Sequence, residues 1–352
     1  MNLKILADDQ MTIKQAMQRM SERGKKILFV VDQKQKLMGC LTDGDIRRFI
    51  LANGKLTDRI AKIYNKKPVF ISESFDLVKV KHMMVHGRLE AIPVVDKDNK
   101  LVDVLFWDDI LGGQKKFKKR KISVPVIIMA GGKGTRLDPF TKILPKPLIP
   151  IGEKTILEMI MDKFKEYGVE KFYLSIHHKS ELIKAYFKEI DLGQSIQYIE
   201  EKKPLGSAGS LNFLKSKMRG NFIVSNCDIL IDGDYAEMLD FHQSHDNDLT
   251  VIGSFRHYTI PYGICHIENG GDLVDIEEKP EYDFLASTGM YVLNSRILPL
   301  IPKNIFFNMT DLIKLVKQKG GKVKVFPIHE QAWVDIGQLE EYRYTLKLLE
   351  KE

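Results

Sequence analysis

The sequence predicts an α/β protein of two domains, on three observations. The chain has 352 residues, too many for one small domain. Its first 110 residues repeat themselves, and at Val124 the pattern changes to an apolar run followed at once by a glycine-rich turn. These observations divide the chain into residues 1–113, a basic linker at 114–123 and a second domain at 124–352.

A shift of 64 positions lays residues 26–46 (KILFVVDQKQKLMGCLTDGDI) on residues 90–110 (EAIPVVDKDNKLVDVLFWDDI) without a gap. Met20 falls on Met84, Val31 on Val95, Leu37 on Leu101 and Asp45 on Asp109. Each copy reads as a helix, with apolar positions at Ile13, Ala16, Met17 and Met20 in the first, then a hairpin of two short strands. Thr42 and Asp45 then flank the start of a further helix, where a hydroxyl cap and an acidic first turn are both favourable.

This duplicated unit resembles a pair of CBS motifs. The resemblance implies a regulatory module in which Thr42 and Asp45 hold the phosphate and ribose of an adenine nucleotide, and it is compatible with a homodimer or higher homo-oligomer. Phe106 stands where the second copy needs its hydroxyl, so the Thr42/Asp45 site is the better candidate. The alternative is that both aspartates only cap helices and the pair serves contacts between subunits.

Composition excludes several classes. The chain is 44% hydrophobic and 29% charged, ordinary for a globular protein, and no apolar run approaches the roughly 18–20 residues of a membrane helix. The start, MNLKILADDQ, lacks the pattern of a signal peptide. Three separated cysteines form neither a disulfide framework nor a zinc cluster, so a reduced, cytoplasmic setting is expected. The net charge of +7 belongs largely to Lys115, Lys116, Lys118, Lys119, Arg120 and Lys121. One basic stretch reads as a solvated linker rather than a nucleic-acid surface.

The chemistry lies in the second domain. Val124 to Ala130 suits a buried parallel strand, and the glycines of GGKGTRL (131–137) let main-chain N–H groups approach an anion. The spacing is neither that of a Walker loop nor that of the dinucleotide fingerprint. Lys146, held between Pro145 and Pro147, adds a positioned ammonium. GGKGTRL followed by PKPLIPI resembles the nucleotidyltransferases that make nucleotide sugars, which implies a Rossmann-like mixed-sheet domain. Further matches follow: residues 201–209 (EKKPLGSAG), Asp228 after a strand, Glu278-Lys279-Pro280, Ser287-Thr288-Gly289 and Trp333-Val334-Asp335-Ile336-Gly337.

The resemblance implies attack of a sugar-1-phosphate on the α-phosphorus of an NTP, with release of pyrophosphate. Gly131, Gly132, Gly134 and Thr135 would cradle the triphosphate that Arg136 and Lys146 neutralise. Asp228 and Asp335 would hold Mg²⁺. Glu201 and Gly206 would face the base, Lys279 the sugar phosphate, and Tyr262, Gly263, Glu278, Thr288 and Gly289 the sugar. A carboxylate at Glu201 matches the two N–H donors of guanine and argues for GTP, although uridylyl relatives also carry Glu there. A CBS pair before such a domain is similar to the guanylyltransferases that begin legionaminic-type acid synthesis from glucosamine-1-phosphate, which implies bacterial surface or flagellar glycans. A uridylyl- or cytidylyltransferase acting on another phosphate substrate, or a nucleotide sensor with an inactive transferase domain, are the competing readings.

Overall fold

A computed structural model describes residues 5–87, 89–107, 110, 119–190, 195–337 and 341–342. The chain divides into two compact units, Met1–Lys118 and Lys119–Glu352.

The repeat predicted for the first unit is a repeat of structure. Its first half runs β1 (Leu6–Ala7), α1 (Ile13–Arg23), β2 (Ile27–Val31), β3 (Leu37–Thr42) and α2 (Asp43–Leu51). The second runs β4 (Ile71–Ser72), α3 (Leu77–Gly87), β5 (Ala91–Val95) and β6 (Leu101–Phe106). The sheets β1-β2-β3 and β4-β5-β6 share one pattern, a parallel pair followed by an antiparallel one. Both carry an irregularity at the equivalent place, Val30/Val31 and Val94/Val95. Leu37 N donates to Asn99 O and Leu101 N to Gln35 O, each at 2.9 Å, so the halves exchange equivalent bonds. Ile13, Ala16 and Met20 pack under β2 and β3, as the helical spacing requires. Thr12 and Gln15 form a reciprocal cap at the start of α1, and Gly24 ends it in the left-handed region at φ 61°.

The second unit is a seven-stranded mixed sheet ordered β11-β10-β7-β12-β17-β14-β18. Its parallel part is β7 (Val126–Ala130), β10 (Lys171–Ile176), β11 (Ser195–Glu200) and β12 (Asn221–Asn226). A small clip, β8 (Pro150–Ile151) with β9 (Lys154–Thr155), precedes α4 (Ile156–Lys165), and α5 (Ser180–Glu189) joins β10 to β11. Beyond β12 come β13 (Ile229–Ile231), α6 (Tyr235–Ser244), β14 (Leu249–Thr259) and the hairpin β15 (Ile264–Glu268) and β16 (Asp272–Glu277). The chain continues through β17 (Glu281–Asn294), antiparallel to both β12 and β14, then α7 (Met309–Gln318), β18 (Val323–Ile328) and β19 (Trp333–Asp335).

Both sheet faces are buried, which explains the unbroken apolar run of β7. Val126, Ile128 and Ala130 face the layer holding α4 and α6, and Ile127 faces the layer holding α7. The second half of the basic run belongs to this unit. Arg120 pairs with Asp240 at 2.5 Å, the Lys119 ammonium lies over the Tyr167 ring, and buried Ile122 donates its N–H to Tyr167 O. The packing of this unit therefore begins before Val124. Lys115, Lys116 and Lys118 lie outside the described residues. No described helix is long and apolar enough to cross a membrane.

Candidate active site

The parallel strands end on one edge of the sheet, and the chain turns there carry the predicted groups. After β7 the loop Gly131–Gly134 tightens into a single turn at Thr135–Leu137, anchored by buried Leu137. Gly134 sits at φ 70°, and a Cβ on it would lie 2.8 Å from Lys146 Cβ and 2.9 Å from Thr141 Cγ2. Only glycine allows this turn and Lys146 to pack so closely. Thr141 Oγ1 donates to Asp138 Oδ1, and Lys179 Nζ donates to the carbonyls of Thr141 and Lys142 at 3.0 and 2.7 Å. An ammonium from the end of β10 thus pins the turn between Arg136 and Lys146.

Asp228 follows β12. The pairing of β13 with β19 sets Ile229 opposite Asp335, and Ile336 N donates to Asp228 O at 2.8 Å. Gly337 N donates to Asp335 Oδ1 at 2.8 Å. A Cβ on Gly337 would lie 2.6 Å from Asp335 Oδ1, 2.7 Å from Asp228 Oδ2 and 2.9 Å from Lys146 Nζ. Two carboxylates and one ammonium therefore close around a single point. Lys146, buried, is ion-paired with Asp228 Oδ2, while Arg136, 63% exposed, holds Nη2 3.7 Å from the same oxygen. Burial and then the Asp228 charge push the neighbouring Cys227 thiol up to about 12, against the pull of Lys146, so that sulfur stays protonated. Among the described residues no three His, Cys, Asp or Glu side chains form a metal group. Two hard carboxylates fit a Mg²⁺ that keeps waters and takes further oxygens from its substrate.

The segment expected to face the base is built around a buried carboxylate. Glu201 is buried, with Oε1 accepting from Ser175 Oγ at 2.7 Å and Oε2 from Leu205 N at 2.9 Å. A Cβ on Gly131 would sit 3.2 Å from that Oε1, so the carboxylate lies under the glycine loop. It ties β10, the glycine loop and residues 201–205 together, and its two oxygens already serve protein donors. Gly206 (φ 78°) leads into a stretch locked onto the start of α7: Ala208 N and Gly209 N donate to Phe307 O, Phe307 N to Leu205 O, and Met309 N to Ser207 Oγ. His177 bonds the Glu201 carbonyl through Nδ1 at 2.7 Å, so it braces this loop rather than facing solvent. Burial, then Lys179 and Lys133, hold His178 below the usual histidine range, a sign of the positive field around the loop.

The sugar group is only partly assembled. Gly289, at φ 89°, passes so close to Asn226 that a Cβ would meet Nδ2 at 2.5 Å. Thr288 is buried, donating Oγ1 to Ile252 O and accepting from Met290 N, so its hydroxyl serves the backbone. Gly263 lies against Glu278, whose Oε2 is 3.0 Å from a Cβ built there. Lys279 has a left-handed backbone at φ 46°, and Tyr262 is 74% exposed. None of the described hydrogen bonds or ion pairs joins Tyr262, Glu278 or Lys279 to Asp228 or Asp335. In the first unit Thr42 and Asp45 form a reciprocal helix cap, with Thr42 Oγ1 and N both donating to Asp45 Oδ2, and Arg48 pairs with Asp45 Oδ1. Asp109 lies outside the described residues.

Sequence reasoning missed Lys179, Asn226 and the steric role of Gly337. Gly337 stood inside a recognised motif. Lys179 left no signal, because its partners are 37 and 38 positions away in the chain.

A family model described as nucleotidyl transferase matches residues 125–352, and a CBS-domain model matches residues 4–52 and 60–116. The chain is 31% identical over 233 residues to the probable mannose-1-phosphate guanylyltransferase 1 of Oryza sativa subsp. japonica, covering 63% of each chain. It is 28% identical over 246 residues to the UTP--glucose-1-phosphate uridylyltransferase of Synechocystis, covering 63% of this chain and 62% of that one. The match thus spans less than two thirds of these relatives' length. Among solved structures, HddC from Yersinia pseudotuberculosis is 26% identical with a TM-score of 0.52, covering 64% of this chain and all of that one, and it is also known complexed with GMP-PN.

Proposed function

The chain belongs to the nucleotidyl transferase family, and on that premise we propose that it joins the nucleoside monophosphate of an NTP, GTP first, to a sugar-1-phosphate such as glucosamine-1-phosphate. The products are an NDP-sugar and pyrophosphate, for surface or flagellar glycan synthesis. The observation that carries the reading is the closure of Lys146, Asp228 and Asp335 around Gly337, with Arg136 at its mouth.

The roles follow from charge. Transfer to a phosphorus centre asks the protein mainly to position two polyanions and neutralise charge between them. The N–H groups of Gly131 to Thr135 cradle the triphosphate, and Arg136 and Lys146 neutralise it. Asp228 and Asp335 hold a divalent cation, which when bound supplies Lewis-acid stabilisation of phosphate oxygens. Lys279 takes the sugar phosphate, with Gly263, Glu278 and Tyr262 toward the sugar and Gly289 clearing room beside Asn226. No general base is needed, because the nucleophile is already an anion. Thr42 and Asp45 in the CBS pair take an adenine nucleotide as regulator, and the pair gives a homodimer.

GTP is favoured by the guanylyltransferases among the relatives and by the guanine-nucleotide complex of HddC. A second reading, UTP, is favoured by the uridylyltransferase among the relatives, and the donors already on both Glu201 oxygens weaken the case for guanine. Four NTPs against a panel of sugar-1-phosphates with Mg²⁺, read by pyrophosphate release, test both. GTP-dependent release abolished by Asp228→Asn is the expected result. A response to UTP alone overturns the base assignment, and silence across the panel overturns the transferase reading.

A further inference from the structure

Asp228 already has a cation. The Lys146 ammonium lies on Asp228 Oδ2 where both side chains are nearly closed to solvent, at 8% and 12% exposure. The same ammonium shares a point with Asp335 Oδ1 against Gly337. Among the described residues no third carboxylate, histidine or cysteine joins the two aspartates. A dication brought to Asp228 would meet a like charge at contact distance in a poorly solvated place, and that repulsion is strong.

The lysine is built to leave. Its main chain is held by Pro145, Pro147 and the turn Lys146–Leu148, while its stem lies along the glycine loop, with Cβ 2.8 Å and Cδ 3.3 Å from a Cβ placed on Gly134. The stem is unbranched and its terminal bonds are rotatable, so the ammonium is able to turn from Asp228 toward the glycine loop.

We infer that Lys146 is a resident cation that keeps free metal off Asp228, and that the arriving triphosphate draws its ammonium away as it brings the metal in. Metal therefore enters with the nucleotide and not before it. The inference rests on the proposed function only in taking the incoming anion to be a triphosphate.

Mn²⁺ titrated into the full chain without nucleotide, followed by electron paramagnetic resonance, tests it. Wild type should bind Mn²⁺ alone at least about tenfold more weakly than Lys146→Met, a difference readily resolved. Lys146→Arg, which keeps the charge, should stay weak. Should Lys146→Met fail to fold, Lys146→Gln, neutral but able to donate to Asp228, carries the same comparison. Equal Mn²⁺ affinity in wild type and the neutral variant overturns the exchange, as does tight binding by Lys146→Arg. These arms contain no nucleotide or sugar, so their failure is separable from failure of the transferase reading in the pyrophosphate assay.

Discussion

Gly337→Ala adds one methyl group at the centre of the site. The added Cβ would lie 2.6, 2.7 and 2.9 Å from Asp335 Oδ1, Asp228 Oδ2 and Lys146 Nζ, where non-bonded heavy atoms rest near 3.5–4.0 Å. Gly337 is not among the glycines at positive φ, so the substitution acts through these three contacts and not through backbone strain. The carboxylates or the ammonium must retreat by several tenths of an ångström to about 1 Å. Misplacement on that scale costs on the order of 10²-fold in rate, or about 2.7 kcal/mol of transition-state stabilisation. Overpacking adds about 1–3 kcal/mol to the folding cost. The expected outcome in a pyrophosphate-release assay is kcat about 10²-fold lower, with the KM for sugar-1-phosphate nearly unchanged and a folded protein by circular dichroism. A folded Gly337→Ala protein with kcat within about threefold of wild type would refute the claim that the site's reacting groups close around this glycine.

Three further outcomes follow from the contacts. Lys179→Met frees the turn at residues 139–143, so the KM for NTP should rise about tenfold while kcat falls less, and Lys179→Arg should recover part of it; a loss confined to kcat would contradict a positioning role. Asp45→Ala removes the N3 partner of the Thr42 capping box and should cost about 1 kcal/mol by urea titration of the full chain. Calorimetry decides whether Asp45 also holds a ligand: wild type that takes up neither AMP nor ATP leaves the cap as its whole role. His242 is pushed down to about 4 by burial first and by Arg296 second, with Nδ1 bonded to Thr250, against the opposing pull of Asp248 and Asp246. Its folded pKa lies below its unfolded value near 6.5, so the unfolded chain binds more protons between those values. Stability should therefore fall as pH drops from about 6.5 toward 4, by at most about 1.4 kcal/mol per pH unit from this group. Urea midpoints at pH 7 and 5 should show that slope flattened in His242→Gln.

What the sequence made legible was whatever repeats or keeps close spacing. The duplicated unit was readable because a shift that aligned Met20 with Met84 also aligned the hairpins, and both methionines are buried in equivalent places. Asp228 and Asp335 were readable as motif members, and the pairing of Ile229 with Asp335 brings them together. Orientation was not legible. Glu201 and Thr288 sit in recognised segments, yet their polar atoms turn inward, because each faces a backbone or hydroxyl group contributed from elsewhere in the chain. Ile122 shows the same limit in reverse. Inside a run of lysines it read as linker, but the second unit offered it an apolar slot and the Tyr167 carbonyl.

If Glu201 holds the scaffold, base choice falls on the main chain beside it. From Leu205 to Gly209, Leu205 N donates to Glu201, Ser207 N to Asn308 Oδ1 at 3.5 Å, and Ala208 N and Gly209 N to Phe307 O. Among the described hydrogen bonds only the Gly206 N–H is left with no acceptor in this stretch. Gly206 is held at φ 78° with no room for a side chain, since a Cβ would stand 2.7 Å from Phe307 O. A lone N–H donor selects a base that presents a carbonyl, as guanine does with O6 and uracil with O4, whereas adenine and cytosine present an amino group there instead. A binding site built to donate to a carbonyl discriminates strongly against a ligand that lacks one. ATP and CTP should therefore both be poorer donor substrates than GTP and UTP, each at least about tenfold below the best in kcat/KM. This holds whether GTP or UTP leads, so the test does not depend on that choice. ATP or CTP as the preferred donor would show that the Gly206 N–H does not read the base.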